Sequence, residues 1–505
     1  MTHTSTGPAA IVLLGAPLLV PLTVAAVAAL VGWRPWVARA HVLAALTTLA
    51  AGVVLAARTT DGSPLAVGDL LRVDALSAVM LIIIGAVGTV ATWAGISYLD
   101  DELALGRCTP RAARRYGVLL PVFLAAMALA VSAANLGLMW AAIEATTVAT
   151  AFLVGQHRSR ASLEATWKYV IICSVGIALA YLGTVLVYFA SRHAAGGEGT
   201  LDWAKLAAGA SGLDSSVMRI AFALLVLGFG AKAGLVPLHS WLPDAHGQAP
   251  APVSALMSGV LLPVAMYALM RYRVIAAEVD PQFTRNLLLT VGLASLAFAA
   301  SLLLAQRDYK RMLAYSSIEH MGLVAVGVAI GTPLALAAVL LHLLGHGLGK
   351  AVLFCGAGQL LQTEHTTTIA DLRALLSRRP VLAGTVAFGV AALLGLPPFS
   401  LFASEVALAR AVAESGHEWV LGPVGFLLLV AFAAIAVRVG GMLFGPTDSA
   451  IPVARDGTGS PALRAGGRKA TVPLVVGLLA LAALGVAGGP LADLLRSAAA
   501  IGVPS

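Results

Sequence analysis

The stretch GFGAKAGLVPLHSWLPDAHGQAPAPVSALMSGVLL, residues 228–262, decides how this chain is read. It lies among apolar segments, yet it carries Lys232 and is punctuated by Gly228, Gly230, Gly234 and Pro237. Glycine and proline at that density interrupt a helix. Inside a bilayer, an interrupted helix persists where its freed backbone lines a cavity. A lysine at a helix centre there costs about 2.5–3.5 kcal/mol on insertion scales. Such groups usually mark proton or ion paths.

The composition agrees with a lipid solvent. Of 505 residues, 59% are hydrophobic and 11% charged, and the mean hydropathy is +0.91. A soluble domain carries about 25% charged residues to cover its surface, so soluble enzymes, disordered regulators and disulfide-stapled secreted domains are excluded. The formal charge of +8 comes mainly from arginines clustered between apolar runs, a topology signal. Aromatics make up only 6%, so there is no basic face interleaved with aromatics for nucleic acid. Cys108, Cys173 and Cys355 lie far apart and form no iron–sulfur or zinc spacing. No pattern points to a catalytic residue, a resident cofactor or a metal.

A hydrocarbon core about 30 Å thick needs roughly 20 apolar residues in a helix. Spans are expected near 9–31, 37–57, 75–98, 116–133, 136–155, 166–190, 217–241, 250–270, 286–305, 311–330, 333–360, 381–410, 420–443 and 471–495. The N-terminal stretch lacks the basic region of a signal peptide and reads as a retained first span. The resulting class is an all-α polytopic membrane protein of about 14 transmembrane helices, two of them broken. Alternate loops collect nineteen Lys and Arg on one side, including Arg107, Arg111, Arg115, Arg158 and Lys310, and nine on the other, including Arg271 and Arg273. The positive-inside rule puts the first set in the cytoplasm, and an even span count puts both termini outside. The linker 445–470, rich in Gly, Pro and Ser, reads as a flexible cytoplasmic loop.

Further ionisable residues fall within the apolar runs. Glu144 is flanked by apolar sequence on both sides, and Glu405 follows the interruption LLGLPPFSLFASE at 393–405. Two interrupted spans that each carry a charge point to internal repeats around an ion site. His342, His346 and Lys350 recur every four residues and share one helix face. That stripe suits a relay, with His320 as a further candidate. HxxxH also suits a metal, but no third ligand stands out in the sequence. Lys168 lies near a helix start, where it either joins the path or snorkels to the interface. His239 and His246 sit near the expected inner mouth, where they either gate proton uptake or cap helices.

Four stretches carry a family resemblance. AAIEATTVATAFLVGQHRSRASLEATWKYVIICSVGIALAYLGTVL (141–186), the 228–262 segment, AYSSIEHMG (314–322) and HLLGHGLGKAVLFCGAG (342–358) resemble the antiporter-like membrane subunits of respiratory complex I. They also resemble relatives in membrane-bound NiFe hydrogenases and Mrp-type cation/proton antiporters. SLEATWKY, ICSVGIAL and SSIEHMG are most similar to the hydrogenase-4 component F branch. The resemblance implies three leading helices (1–115), two inverted five-helix repeats (116–275 and 286–445), and a loop with a last helix (446–505). It implies half a proton channel in each repeat. Glu144 and Lys232 would serve the first half and Glu405 the terminal site of the second, with His320, His342, His346 and Lys350 on the axis between them. One departure is Pro263, where several relatives place Lys or His; water and histidines would then link the half-channels.

The function implied is a proton-translocating subunit of a redox complex in the cell (inner) membrane, of hydrogenase or NADH/quinone oxidoreductase type. Its expected partners are other membrane subunits and peripheral iron–sulfur, NiFe or NADH-dehydrogenase-type subunits, with the lipid bilayer around them and no nucleic acid. The alternative is a subunit of an Mrp-type antiporter without a redox partner. A purely structural anchor would not carry so many buried charges.

Overall fold

A computed structural model of the chain describes residues 8–194, 197–446, 461–487 and 489–503. Most of the expected 445–470 loop lies outside the described residues, as does the start of the chain. Helices α1 (Pro8–Val31) and α2 (Pro35–Thr59) lead into a short antiparallel hairpin, β1 (Leu65–Val67) with β2 (Leu71–Val73). Next come α3 (Ala75–Ala104), α4 (Pro110–Ser132), α5 (Leu136–Val154), α6 (Arg160–His193) and the short α7 (Trp203–Ala208). The middle holds α8 (Ser215–Ala233), α9 (Trp241–Gln248), α10 (Ala251–Leu256), α11 (Leu262–Val279), α12 (Pro281–Leu303), α13 (Tyr309–Ile330) and α14 (Pro333–Glu364). The chain ends with α15 (Leu375–Arg378), α16 (Pro380–Leu393), α17 (Ser400–Glu414), α18 (Leu421–Phe444), α19 (Pro461–Val486) and α20 (Gly489–Ile501).

Among the described residues, twelve helices are long and apolar enough to cross a membrane, α10 and α11 counting together. The shorter pair α16–α17 and the bent pair α19–α20 stand where the twelfth and last spans are expected. The corners between spans are set by polar caps. Asp74, Thr109, Ser159, Asp280, Asp308 and Thr332 each accept a backbone N–H of the first helical turn. Proline stands at the first helical position of α4, α12 and α14, where no N–H is needed. Only Ala133–Asn135 separates α4 from α5, and the Asn135 side chain caps α5 by accepting from Gly137 and Leu138 at 2.7 and 3.3 Å.

Two spans are broken as expected. Helix α8 stops at Gly234, which has φ +76°, and the chain resumes as α9 after Pro237. Helix α16 stops before Gly395, φ +63°, and α17 starts after Pro397 and Pro398. Glycine reaches that left-handed region without a Cβ clash. Between α10 and α11 the span is π-helical over Met257–Leu261. There Gly259 meets Gly347 of α14: a Cβ on either would sit 2.8 and 2.7 Å from the other's carbonyl oxygen. Helices α10–α11, α13 and α14 are almost wholly enclosed, whereas α1 and α18 show most of their surface.

Three cations counted as loop charges are in fact buried. Arg271 donates to Asp74 at 2.6 Å and to the Tyr267 hydroxyl at 3.0 Å, with its guanidinium 4.0 Å from the Trp203 ring. Arg273 donates to the Gly502 carbonyl at 2.9 Å. Lys310 is turned inward beneath α9. Helices extend beyond their apolar cores, so a charge next to a loop in sequence is not thereby outside the protein.

Candidate functional site

The first cluster lies where α5, α6 and the end of α8 meet. Lys232 is fully buried on the last turn of α8, beside the break. The carbonyl end of a helix favours a cation. Its ammonium donates to the Thr147 hydroxyl and, at 3.3 Å, to the Tyr169 hydroxyl. Thr147 in turn donates to the Glu144 carboxylate at 2.9 Å. One hydroxyl therefore stands between ammonium and carboxylate, and the two make no direct ion pair among the described residues. Tyr169 also shares a hydrogen bond with Thr150 at 2.5 Å, and its ring packs on Trp241. Trp241 Nε1 donates to the Ala231 carbonyl at 2.8 Å, tying α9 back across the break.

Lys168 stands apart from this cluster. Its side chain is half exposed and pairs with Glu164 at 2.7 Å and Asp244 at 3.0 Å. Arg311 holds the other Asp244 oxygen at 2.8 Å. The group ties α6, α9 and α13 together at one end of the first break.

His239 and His246 both lie inside the protein rather than at an open mouth. His239 packs edge-on against Phe298, and its Nδ1 has no partner. His246 is fully enclosed, stacks on Phe354 at 4.9 Å, and neither ring nitrogen has a partner. Lys310 donates to the Gly247 and Ala249 carbonyls at 3.0 Å each, capping the end of α9 beside His246.

The second cluster lies between α13, α14 and α17. Lys350 is fully buried and donates to the Leu313 carbonyl at 2.7 Å and the Ser316 hydroxyl at 2.5 Å. Glu319 is buried one helical turn from Ser316. His320 Nδ1 and His342 Nε2 are 2.9 Å apart, and His342 Nδ1 lies 3.0 Å from Ser404 Oγ. Ser404 donates to the Leu401 carbonyl at 2.8 Å. One tautomer set satisfies every contact: His320 Nδ1–H donates to His342, whose Nδ1–H donates to Ser404. The His346 ring lies 4.9 Å from that of His320, and both its nitrogens are free of partners. The Glu405 carboxylate rests on Gly395 so closely that any Cβ there would overlap it. His320, His342 and Glu405 each bring a ligand atom within 4.8 Å of the others. That group takes only His342 of the HxxxH pair, completed by His320 and Glu405, and leaves His346 out.

The π-helical turn lies against α13 and α14. Ser258 and Ser317 share a hydrogen bond of 2.7 Å. Leu262 N–H donates to Met257 in the π register. The next donor in that register would sit at Pro263, which has no N–H. The Ser258 carbonyl therefore lacks that partner.

Sequence reasoning missed Thr147, Tyr169, Ser316, Ser404 and Lys310. Thr147 follows Glu144 by three residues and so shares its helix face, a signal open to use. Ser404 reaches His342 across 62 residues of chain, and no spacing reveals that.

A family model described as "NADH:quinone oxidoreductase/Mrp antiporter, TM" matches residues 133–431. The hydrogenase-4 component F homolog of Methylacidiphilum infernorum is 40% identical over 390 residues, covering 76% of this chain and 82% of that protein. Hydrogenase-4 component B of Escherichia coli is 32% identical over 427 residues, covering 80% of this chain and 60% of that one. Among solved structures, a chain of the membrane-bound sulfane sulfur reductase, an archaeal respiratory membrane complex, superposes with a TM-score of 0.82 at 23% identity. That match covers 98% of this chain and 97% of the other, and it establishes a shared fold.

Proposed function

The chain belongs to the NADH:quinone oxidoreductase/Mrp antiporter transmembrane family, and on that premise we propose that it carries protons across the cell (inner) membrane along its two charged clusters. It is a multi-span, antiporter-like membrane subunit of the complex I and hydrogenase-4 kind. We read 116–275 and 286–445 as its two inverted repeats and place both termini outside. The electron chemistry belongs to partner subunits, of iron–sulfur/NiFe or NADH-dehydrogenase type. The observation that carries the reading is Thr147, set between Glu144 and a fully buried Lys232.

In this mechanism a redox partner shifts the membrane helices. An approaching carboxylate favours the charged ammonium, and its withdrawal leaves desolvation unopposed. Lys232 then holds its proton when Glu144 closes in and releases it when Glu144 withdraws. Moving one charge against 150 mV costs roughly 3.5 kcal/mol, and an interaction change of about that size suffices. The released proton passes by Ser258 and Ser317 toward Lys350, His346, His320, His342, Ser404 and Glu405. Lys310 and His246, both enclosed at the end of α9, would pass on protons delivered from that side. Replacing Lys232 by Ala is expected to abolish pumping in a complex that still assembles; vesicle acidification that persists in the assembled variant overturns the proposal.

The matching family spans both redox and Mrp-type members, so a cation/proton antiporter is the second reading. The names of the hydrogenase-4 relatives favour the first. Mass spectrometry of what co-purifies separates them. Iron–sulfur and NiFe-type subunits support a redox-driven pump, and small membrane subunits alone support an antiporter.

A further inference from the structure

Where α3 ends and α4 begins, a cleft of about 790 Å³ opens beside Gln156 and Pro250. Arg107, Arg111, Arg115 and Arg158 line it, with His157 and a single carboxylate, Glu102. Four guanidinium groups less one carboxylate leave a formal charge of +3 with His157 neutral. Glu102 is already engaged, by Arg107 at 3.8 Å and by the Gln362 amide at 3.1 Å. Among the described residues, Arg111 and Arg158 have no ionic or hydrogen-bonding partner. Arg115 reaches the Gln156 carbonyl at 3.5 Å and leaves its Nε buried and unpaired. Gln156 is 7% exposed; its amide N–H points at Cys108 Sγ, and its Oε1 has no partner.

These groups specify a ligand. The guanidinium groups require an anion and match phosphate geometry. The buried Gln156 Oε1 requires a hydrogen-bond donor, because an unpaired buried acceptor is costly. A ligand that is anionic and also carries a hydroxyl satisfies both. The remaining wall is apolar or nearly so, formed by Tyr98, Leu99, Pro110 and Ala112. Burial raises the Cys108 thiol above its ordinary value, so Cys108 adds no charge to the wall. The cleft lies at the ends of long apolar helices, and the ends of helices of that length reach the headgroup region of a bilayer about 30 Å thick in its core. It also lies among the arginines that the positive-inside rule assigns to the cytoplasmic side, whose leaflet is rich in anionic lipid.

We propose that this cleft binds the headgroup of an anionic glycerophospholipid with a free glycerol hydroxyl, as in phosphatidylglycerol or cardiolipin. The phosphodiester lies against Arg111, Arg158 and the free Nε of Arg115, and the hydroxyl donates to Gln156 Oε1. A choline headgroup would set its own cation among the arginines and has no hydroxyl to offer. The same positive field makes the cleft a poor inlet for protons or metal cations.

The test uses the intact complex in mild detergent, incubated with phosphatidylglycerol, phosphatidylcholine or inorganic phosphate and examined by native mass spectrometry. Retention of phosphatidylglycerol and not phosphatidylcholine is expected. The Arg111→Gln/Arg158→Gln pair should lower that retention at least tenfold, while Arg111→Lys/Arg158→Lys keeps most of it. If the glutamine pair fails to assemble, Arg111→Gln alone is compared with Arg111→Lys. Gln156→Leu should erase the preference for phosphatidylglycerol over phosphatidic acid, which has no glycerol headgroup. Equal retention of phosphatidylcholine, or no effect of the glutamine pair, overturns the proposal. So does displacement of the lipid by millimolar phosphate, which would mark a site for a free anion. Cross-linking of Arg111→Cys to another subunit across the cleft would also overturn it, because a protein surface would then fill the space.

Discussion

Lys232 stands on the last turn before its break, whereas Glu405 stands on the second turn after its own. Each group therefore lies near the helix end whose dipole suits its sign: the ammonium by the carbonyl end of α8, the carboxylate toward the amide end of α17. The surroundings differ as well. In the first cluster one hydroxyl separates acid from base. In the second, two imidazoles and a serine lie between the enclosed core and the break. A broken helix can thus serve either sign, provided the residue moves to the matching side of the break. The first cluster is built like a switch, in which one short displacement changes the interaction. The second is built like a wire whose middle, His320 to His342 to Ser404, is already hydrogen-bonded, while His346 and Glu405 at its ends must be reached by small movements or water.

That contrast is sharpest for substitutions at the two ends. Lys232→Ala removes the switch and should bring pumping to background. Glu405→Gln keeps the wire and neutralises its end, so a slow leak of protons should remain. Both are read as initial rates of vesicle acidification, normalised to assembled complex. Equal and complete loss in the two variants would mean that the clusters act as one unit, and the distinction between switch and wire would fail.

The order of the spans, both breaks and the charged residues within them are legible in the sequence, because a buried charge in a twenty-residue apolar run has no soluble explanation. The His342, His346 and Lys350 stripe is legible for the same reason that any helix face is. The hydroxyls are not. Thr147, Ser316 and Ser404 carry no charge, and serine and threonine cost little in an apolar helix, so nothing marks them out. Lys310 is hidden by its neighbours: Arg307 and Arg311 flank it and make a loop cluster of all three, until the fold turns its ammonium onto the carbonyls of Gly247 and Ala249. For Lys168 the sequence leaves two readings open, and the side chain is half exposed and pairs with Glu164 and Asp244, as a lysine reaching for the interface does.

A smaller effect is expected at the bridge itself. Thr147→Val keeps the shape and removes the hydroxyl that joins Lys232 to Glu144. Losing one buried hydrogen-bond partner costs about 1–3 kcal/mol, which corresponds to a slowing of roughly five- to 150-fold if the bridge forms in the rate-limiting step. Thr147→Ser should restore most of the rate. The same pair of changes separates a bridging hydroxyl from a packing role, because serine lacks the methyl group and valine lacks the oxygen. A variant that fails with serine and works with valine would assign Thr147 to packing.

The smallest effect is expected along the wire. Ser404 receives the His342 hydrogen bond while giving its own to the Leu401 carbonyl. In that arrangement its proton points away from the path, so the hydroxyl must turn before it can hand a proton on. Ser404→Ala removes both bonds and leaves His342 Nδ1 without a protein partner, but a water can take the place of a lost hydroxyl at a cost of about 0–2 kcal/mol. Pumping should fall only a few-fold. The deuterium isotope effect on the pumping rate should rise, as proton hand-over along the second cluster becomes slower relative to the switch. Ser404→Ala with an unchanged rate and an unchanged isotope effect would place the path elsewhere, with Glu405 reached directly from His320 and His342, whose ligand atoms already lie within 4.8 Å of its carboxylate.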